Sequence, residues 1–460
     1  MDRGSSDHSL EPSPEKSDLI ANQPANRGLR RVTVFSGSRC RSCGAGGLRT
    51  FLSLGKMPLT DAYVQPERAR EPEARYPLDV AFCSKCSLVQ ILHSVPPEQI
   101  FLEYSYYSSV SRTLLEHSRF HAQELIARRG LGPDSLVVEV ASNDGYLLQN
   151  FAKAGIPVLG IDPAVGPARA AEAIGIPTLQ EFFTSDLAAR LRSEGKQADV
   201  LLANNVLAHV PDPNDFVAGM SIILREDGIA EVEAPYMKDL IDNLQFDTIY
   251  HEHLSYFSVT AAKSLFERHD LSLNDLRHFP IHGGTFRFTL GRREDVSDAV
   301  RALLIEDQAA GLTGFDYFRD FGRRVTRLQT QLRSLLLELK SAGKRIAAYG
   351  AAAKGTILLN SSGIGSDLID FVADRSPYKQ GKLMPGVTIA ISPPDRIMEE
   401  MPDYVLILAW NVRDEIIKQE AAYLARGGRF IVPIPRPVVL GMESLGEASN
   451  GARFSTPEMS

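Results

Sequence analysis

Cysteine is scarce in this chain: four residues in 460, all between Cys40 and Cys86. That excludes a disulfide scaffold, which needs a dense set of cysteines in a small chain. Basic charge is also short, 50 lysines and arginines against 57 acidic residues, for a net charge of −7. Such a balance gives the protein as a whole no electrostatic reason to hold nucleic acid. No apolar run is long enough to cross a bilayer. The N-terminal residues are polar and charged, without the apolar core of a signal peptide. A soluble cytoplasmic protein with no membrane or nucleic-acid partner is therefore the expectation. Internal repeats are lacking too. Nothing in the sequence sets the oligomeric state, and a monomer is compatible with it.

What is present is ordinary globular composition, 44% hydrophobic and 23% charged. The length points to about three domains. Residues 1–36 are rich in Ser, Pro and charge and are expected to form a disordered tail. The basic cluster Arg27, Arg30, Arg31, Arg39 and Arg41 reads as a solvated face. "SRTLLEHSRFHAQELIARRG" has a helical pattern that stops at Gly130. After it, "LVVEV", "IPVLGIDP", "ADVLLANN" and "GIAEVEAPY" are buried-type runs alternating with helices, the signature of a parallel α/β sheet. Residues 298–342 look largely helical. The pattern then restarts in "KRIAAYG", "IDFVADRS", "YVLILAW" and "GRFIVPIP", a second and smaller α/β unit.

The cysteines form two C-x-x-C pairs, Cys40/Cys43 and Cys83/Cys86, separated by a stretch that can fold back on itself. Each pair presents two thiolates from one tight turn, and two turns facing each other make a tetrahedral sulfur cage for zinc. Four thiolates close the coordination shell, so the site is expected to be structural. A redox C-x-x-C would need one pair only, normally opening a helix.

In "VVEVASNDGYLL", Glu139 sits at a strand end, and Ser142, Asn143, Asp144 and Gly145 turn into a helix. Turns of this kind lie at the carboxyl edge of a parallel sheet, where ligands bind. The loop is not a G-x-G-x-x-G. Asp162 ends the next strand, where an acid can accept hydrogen bonds from both ribose hydroxyls of an adenosine. The spacing fits S-adenosylmethionine (SAM) better than NAD; a plain helix cap at Asp162 is the bland alternative. In the second unit, "AAYGAAAKG" sets Lys354 in the first turn of a helix and Asp374 at the end of the following strand. Small residues there let phosphates approach the helix N-terminus. A degenerate fold supporting an acceptor nucleotide and a second cofactor site are both open readings, beside a packing turn with an exposed lysine.

"TIYHEHLSYFS" (248–258) concentrates proton-handling groups. It lacks the H-E-x-x-H spacing of a helical zinc protease. So many ionisable groups are costly to bury without a task.

Taken in order, "CRSC…CSKCSLVQ", "EVASNDGYLL", "NNVLAHVPD", "YHEHLSYFS", "HGGTFRF" and "AAYGAAAKGTILLN" resemble the zinc-containing, SAM-dependent C-methyltransferases that act on nucleotide-linked keto-deoxysugars. The resemblance runs from about Cys40 to about Pro435. It implies a zinc-binding module (37–100), a class I SAM methyltransferase core of Rossmann-like α/β type (101–297), and a helical linker with a C-terminal Rossmann-like domain (298–440). A polar tail (441–460) follows. It implies SAM and a structural Zn2+ as cofactors, with Cys40, Cys43, Cys83 and Cys86 on the metal. Glu139, Ser142, Asn143, Asp144, Gly145, Asp162 and Asn204 would form the SAM site.

The implied acceptor is a thymidine-diphosphate 4-keto-6-deoxyhexose from antibiotic deoxysugar biosynthesis, methylated beside the ketone. The resemblance assigns the base to His253, with Tyr250, Glu252, His209 and Tyr106 around it. Tyr104 is the alternate phenol, and His282 lies near the acceptor or in a simple bend. His251 departs from the acidic residue often found at that position in the family, so the two histidines could exchange roles. A methyltransferase acting on oxygen or nitrogen, a zinc-module binding protein without catalysis and an NAD-dependent sugar enzyme remain as alternatives.

Overall fold

The computed structural model of the chain describes residues 38–102 and 107–442. Arg27, Arg30, Arg31, Tyr104 and Tyr106 lie outside the described residues, as does the tail expected over 1–36.

The buried runs of the middle of the chain form parallel strands. Val137–Val140 pairs with Val158–Ile161 on one side and Ala198–Asn204 on the other, and Ala198–Asn204 pairs with Leu224–Pro235. Neighbouring connections therefore leave Val137–Val140 and Ala198–Asn204 in opposite directions around the sheet. That is a topological switch point, and it opens a crevice at the strands' carboxyl ends.

The sheet is not purely parallel, as the run pattern had led one to expect. Ser272–Phe279 and Thr285–Gly291 extend it as antiparallel strands beside Leu224–Pro235, giving seven strands in all. The link between them is too short for a crossover, which needs a dozen residues or more. It is the "HGG" bend, and it demands glycine. Gly284 has φ +116°, and a Cβ there would sit 1.9 Å from an Asp239 carboxylate oxygen.

The helix Arg112–Arg129 packs on this sheet. Ser111 caps it by accepting from the Leu114 amide at 3.3 Å, a contact of about 1 kcal/mol. Gly130 ends it in the left-handed conformation at φ 59°. Its buried Leu114, Ser118, His121, Ala122 and Leu125 share one face. His121 meets Glu231 at 2.5 Å and His117 meets Glu233 at 2.8 Å, while Arg128 reaches Glu231 and Arg287 reaches Glu233. Burial alone would raise both carboxyls; the histidines and arginines reverse this and hold them at about 2. Removing one partner from a buried charge cluster of this kind costs about 3–5 kcal/mol.

A four-stranded antiparallel sheet carries the cysteines: Arg49–Pro58, Arg75–Phe82, Val89–Ile91 and then Ser255–Tyr256. The last strand comes from the histidine-rich segment. A third sheet has six strands, in the order Ile391–Ser392, Val372–Ala373, Ile346–Tyr349, Tyr404–Ile407, Arg429–Val432 and Val438–Leu440. All its pairs are parallel except the last.

Phe82, Val89 and Ile91 of the cysteine sheet share a core with Phe246, Ile249 and Leu254, with Ile346 and Leu406 of the third sheet and with Ile357 of the helix Ala353–Ser361. Cys40, Cys83 and Cys86 belong instead to the core of the seven-stranded sheet. The histidine-rich segment thus lies where the three sheets meet.

Candidate active site and metal centre

The cysteine turns are alike. The Gly44 amide donates to the Cys40 carbonyl and the Ser87 amide to the Cys83 carbonyl, each at 2.9 Å. Gly44 and Ser87 take positive φ, 70° and 62°. The four sulfurs lie within 4.8 Å of one another, with Cys40 to Cys86 at 3.5 Å and Cys43 to Cys83 at 3.6 Å. A zinc tetrathiolate with bonds of about 2.3 Å has sulfurs roughly 3.8 Å apart, so the donor set fits the metal. Arg41 corrects the sequence reading: it is 2% exposed, not part of a solvated face. The turn that aims Cys40 and Cys43 at one point swings the intervening side chain inward.

The SAM-site residues gather at the carboxyl ends of the parallel strands. Ala141 and Asn143 adopt positive φ (57° and 50°), as does Gly145 at 76°. The third is required, because a Cβ at Gly145 would press on Ile176 at 3.1 Å in that conformation. Asp162 accepts the Asn143 amide on one oxygen and the Ala164 amide on the other, both at 2.8 Å. It braces the loop as well as presenting charge. Burial pushes Glu139 well up, with Asp162 and Asp144 adding to the effect.

Glu139 Oε2, Ser142 Oγ, Asp144 Oδ1 and Asn204 Oδ1 are buried with no hydrogen-bond partner among the described residues. Such acceptors are costly to leave unmet. A cationic ligand with an ammonium group, ribose hydroxyls and an adenine amine would satisfy them, so the residues fit SAM. Asp374 repeats this geometry in the third sheet, accepting the Ala351 amide at 2.7 Å and the Ser376 amide at 2.8 Å.

The segment 248–256 is a turn that only ends as a strand, so its two histidines diverge. His251 is fully buried against the cysteine module, donating from Nε2 to the Pro77 carbonyl at 3.3 Å, with its ring edge on Tyr76. Burial lowers its pKa. His253 is only partly buried. Its ring centroid is 4.1 Å from Tyr250 and 4.7 Å from His209. Its Nδ1 is 2.8 Å from the Thr248 carbonyl. A carbonyl only accepts, so Nδ1 carries the hydrogen and Nε2 is the basic nitrogen of the neutral ring. Burial drives His209 down to about 4, the Glu252 backbone partly opposing. Leu254 and Ser255 both donate to the Ala208 carbonyl, at 2.7 and 3.2 Å, which fixes the two loops side by side.

The Glu252 side chain binds no histidine among the contacts described. It accepts from Thr60 Oγ1 at 2.9 Å, while Oε2 is buried and unmet. Burial, aided by Asp61, raises its pKa to about 7. Asp247 is raised to about 7 by burial, Lys354 and Trp410 opposing; Trp410 donates to it at 2.7 Å. Lys354 is half-buried, donating to Asn411 at 3.0 Å and lying 4.8 Å from the Trp410 ring centroid. Thr60 and Trp410 come from distant points of the chain and carry no local signal, and Asp247 stands one residue before the histidine-rich segment.

The raised Glu252 carboxyl has a measurable consequence. Between pH 4.5 and 7 the folded chain holds a proton here that the unfolded chain has lost, so this group's contribution to stability declines as pH rises through that window. Glu252→Gln, neutral at all pH, is expected to be more stable than wild type at pH 8 by roughly 3 kcal/mol. The difference should shrink towards pH 4.5. Parallel stability curves for the two proteins from pH 4.5 to 8 in urea titrations would contradict this.

The fold and the two sites define a class: a SAM-dependent methyltransferase with a class I α/β core and a structural zinc module. Family models match in the same order: a zinc binding domain over residues 40–101, a methyltransferase domain over 115–276 and a C-methyltransferase C-terminal domain over 280–435. The chain is 37% identical over 408 residues to C-methyltransferase NovU of Streptomyces niveus, covering 88% of this chain and 97% of that protein. The chain belongs to this C-methyltransferase family.

A shorter likeness, 29% over 104 residues, joins it to the ubiquinone biosynthesis O-methyltransferase of Pasteurella multocida (20% of this chain, 43% of that one). Magnesium protoporphyrin IX methyltransferase of Synechocystis, solved with bound SAM, is 12% identical over 39% of this chain and 79% of its own, at a TM-score of 0.31. At that score the likeness carries no argument. Among the described residues no helix is long and apolar enough to cross a membrane.

Proposed function

We propose that this C-methyltransferase acts on the carbon beside the ketone of a nucleotide-linked 4-keto-6-deoxysugar, with thymidine diphosphate as the nucleotide. The observation that carries the reading is the packing of His253 between Tyr250, in a tilted contact, and the edge-to-face His209, with the His253 tautomer fixed by Thr248. Methylating oxygen or nitrogen needs little acid–base machinery. Methylating carbon needs a base and a partner for the oxygen that gains charge.

Bound SAM supplies an electrophilic methyl group on a sulfonium, and the acceptors of Glu139, Ser142, Asp144, Asp162 and Asn204 would hold it. His253 Nε2 takes the proton from the carbon beside the ketone. The C–H electron pair moves into the C–C bond and the carbonyl pair onto oxygen, giving an enolate. Tyr250 donates to that oxygen, where stabilisation is worth most. His209, kept neutral by burial, adds no positive charge to compete with His253 for protonation. Glu252, largely protonated below pH 7, offers a buried hydrogen bond to a sugar hydroxyl. Tyr106, the further phenol that the resemblance implies, lies outside the described residues. Lys354 and Asp374 are assigned to the acceptor's nucleotide portion.

The reading is tested with labelled SAM and a panel of 4-keto nucleotide sugars in heavy water, read by mass spectrometry. One sugar is expected to gain a methyl group on carbon. With S-adenosylhomocysteine in place of SAM, it is expected to take up one deuterium without methylation. A methyl group on oxygen or nitrogen, or no deuterium uptake with S-adenosylhomocysteine bound, would overturn the reading.

A further inference from the structure

Arg41 lies between the two cysteines of the first metal turn and is buried at 2% exposure. Its guanidinium reaches three places. One terminal nitrogen donates to Ser94 Oγ at 2.5 Å and to the Ile91 carbonyl at 3.3 Å. The other donates to the Pro211 carbonyl at 3.4 Å. Its backbone is held as well: its amide donates to Gln90 Oε1 at 2.8 Å, and its carbonyl accepts from Asn214 Nδ2 at 2.8 Å. Next to it, Arg268 donates to the Ser42 carbonyl at 3.0 Å.

These anchors are not scattered. Ile91 ends the strand that pairs with Ser255–Tyr256, and its amide donates to the Leu254 carbonyl at 3.1 Å, one residue after His253. Pro211 is two residues after His209. One side chain therefore grips the strand behind His253 and the loop behind His209. The planar fork of a guanidinium can bridge two carbonyls at a fixed separation; an ammonium is a point donor and cannot. A buried arginine is costly to keep, and a core of the same volume would have packed more simply with an apolar residue.

We propose that Arg41 is a positioning residue that transmits the geometry of the zinc turn to the His209–His253 pair. The metal module would then set the spacing of the catalytic rings as well as hold its own sheet together. This rests on the histidine reading above, but its test reads ring geometry directly, so the two can fail separately.

Arg41→Lys is loaded with zinc and labelled with 15N in its histidine side chains. The imidazole resonances are compared with wild type at pH 7. Resonances of both His209 and His253 are expected to shift, while those of His117 and His121, in the separate glutamate cluster, stay in place. One zinc per chain should remain, and SAM affinity by calorimetry should stay within about threefold. Turnover of the sugar identified by the labelled-SAM screen should fall by ~10–100-fold with KM little changed, since a misplacement of about 1 Å costs that order. Unmoved His209 and His253 resonances, or all histidines moving together, would overturn the proposal. Should Arg41→Lys not take up zinc, Ser94→Ala is read by the same two outcomes. It keeps the guanidinium and removes one of its acceptors.

Discussion

His253→Ala is expected to lower kcat for methyl transfer by roughly 10²–10⁴-fold while the protein stays folded and binds SAM with unchanged affinity. The fold should survive because His253 is only partly buried and its Nδ1 bonds a backbone carbonyl of its own turn. SAM binding should survive because the acceptors proposed for it lie at the strand ends of Glu139, Asp162 and Asn204, a separate set of residues. What goes is the nitrogen proposed to accept the proton. The variant should also lose deuterium uptake into the acceptor when S-adenosylhomocysteine fills the cofactor site. That second readout separates a missing base from a misplaced methyl donor. If His253→Ala turned over at the wild-type rate, proton removal by this imidazole would be wrong. His251→Ala, by contrast, is expected to act on stability, because His251 faces Pro77 and Tyr76 in the cysteine module.

Stripping the metal is the second large effect. Metal analysis is expected to find one zinc per chain. Removing it with a strong chelator, or replacing Cys83 with serine, should unfold the cysteine sheet and abolish activity. Four-thiolate zinc sites contribute about 10–16 kcal/mol of apparent binding free energy, comparable with the whole 5–15 kcal/mol stability of a typical domain. The damage should spread, because the cysteine sheet shares its core with Ile346 and Leu406 of the third sheet and takes its last strand from Ser255–Tyr256. Loss of both zinc and thermal stability, restored together by added zinc, is the expected pattern in melting curves. A zinc-free protein with an unchanged melting temperature would refute the metal assignment.

Much of the fold was legible. The runs around Val137–Val140, Val158–Ile161 and Ala198–Asn204 announce buried parallel strands, because both faces of such a strand must be apolar. Ser111 and Gly130 mark the helix ends by local hydrogen bonding and local φ. The antiparallel pair flanking "HGG" was not legible from its runs: strand direction depends on the connection, and the glycines fit any tight bend. The two histidines of "HEH" looked interchangeable, and a turn at 248–254 sends them to different neighbours.

By itself the sequence determined whatever chemistry acts over a few residues: the two C-x-x-C turns, the strand-turn-helix at Glu139–Gly145, and Asp162 at its strand end. The tertiary structure decided the rest. Thr60 meets Glu252, Trp410 meets Asp247, and Arg41 is buried between the loop after His209 and the strand Val89–Ile91. Those contacts join points 163 to 192 residues apart in the first two cases, and 170 and 50 in the third. No local pattern encodes them, because they arise only when three sheets close on one segment and each buried polar group must find a partner there.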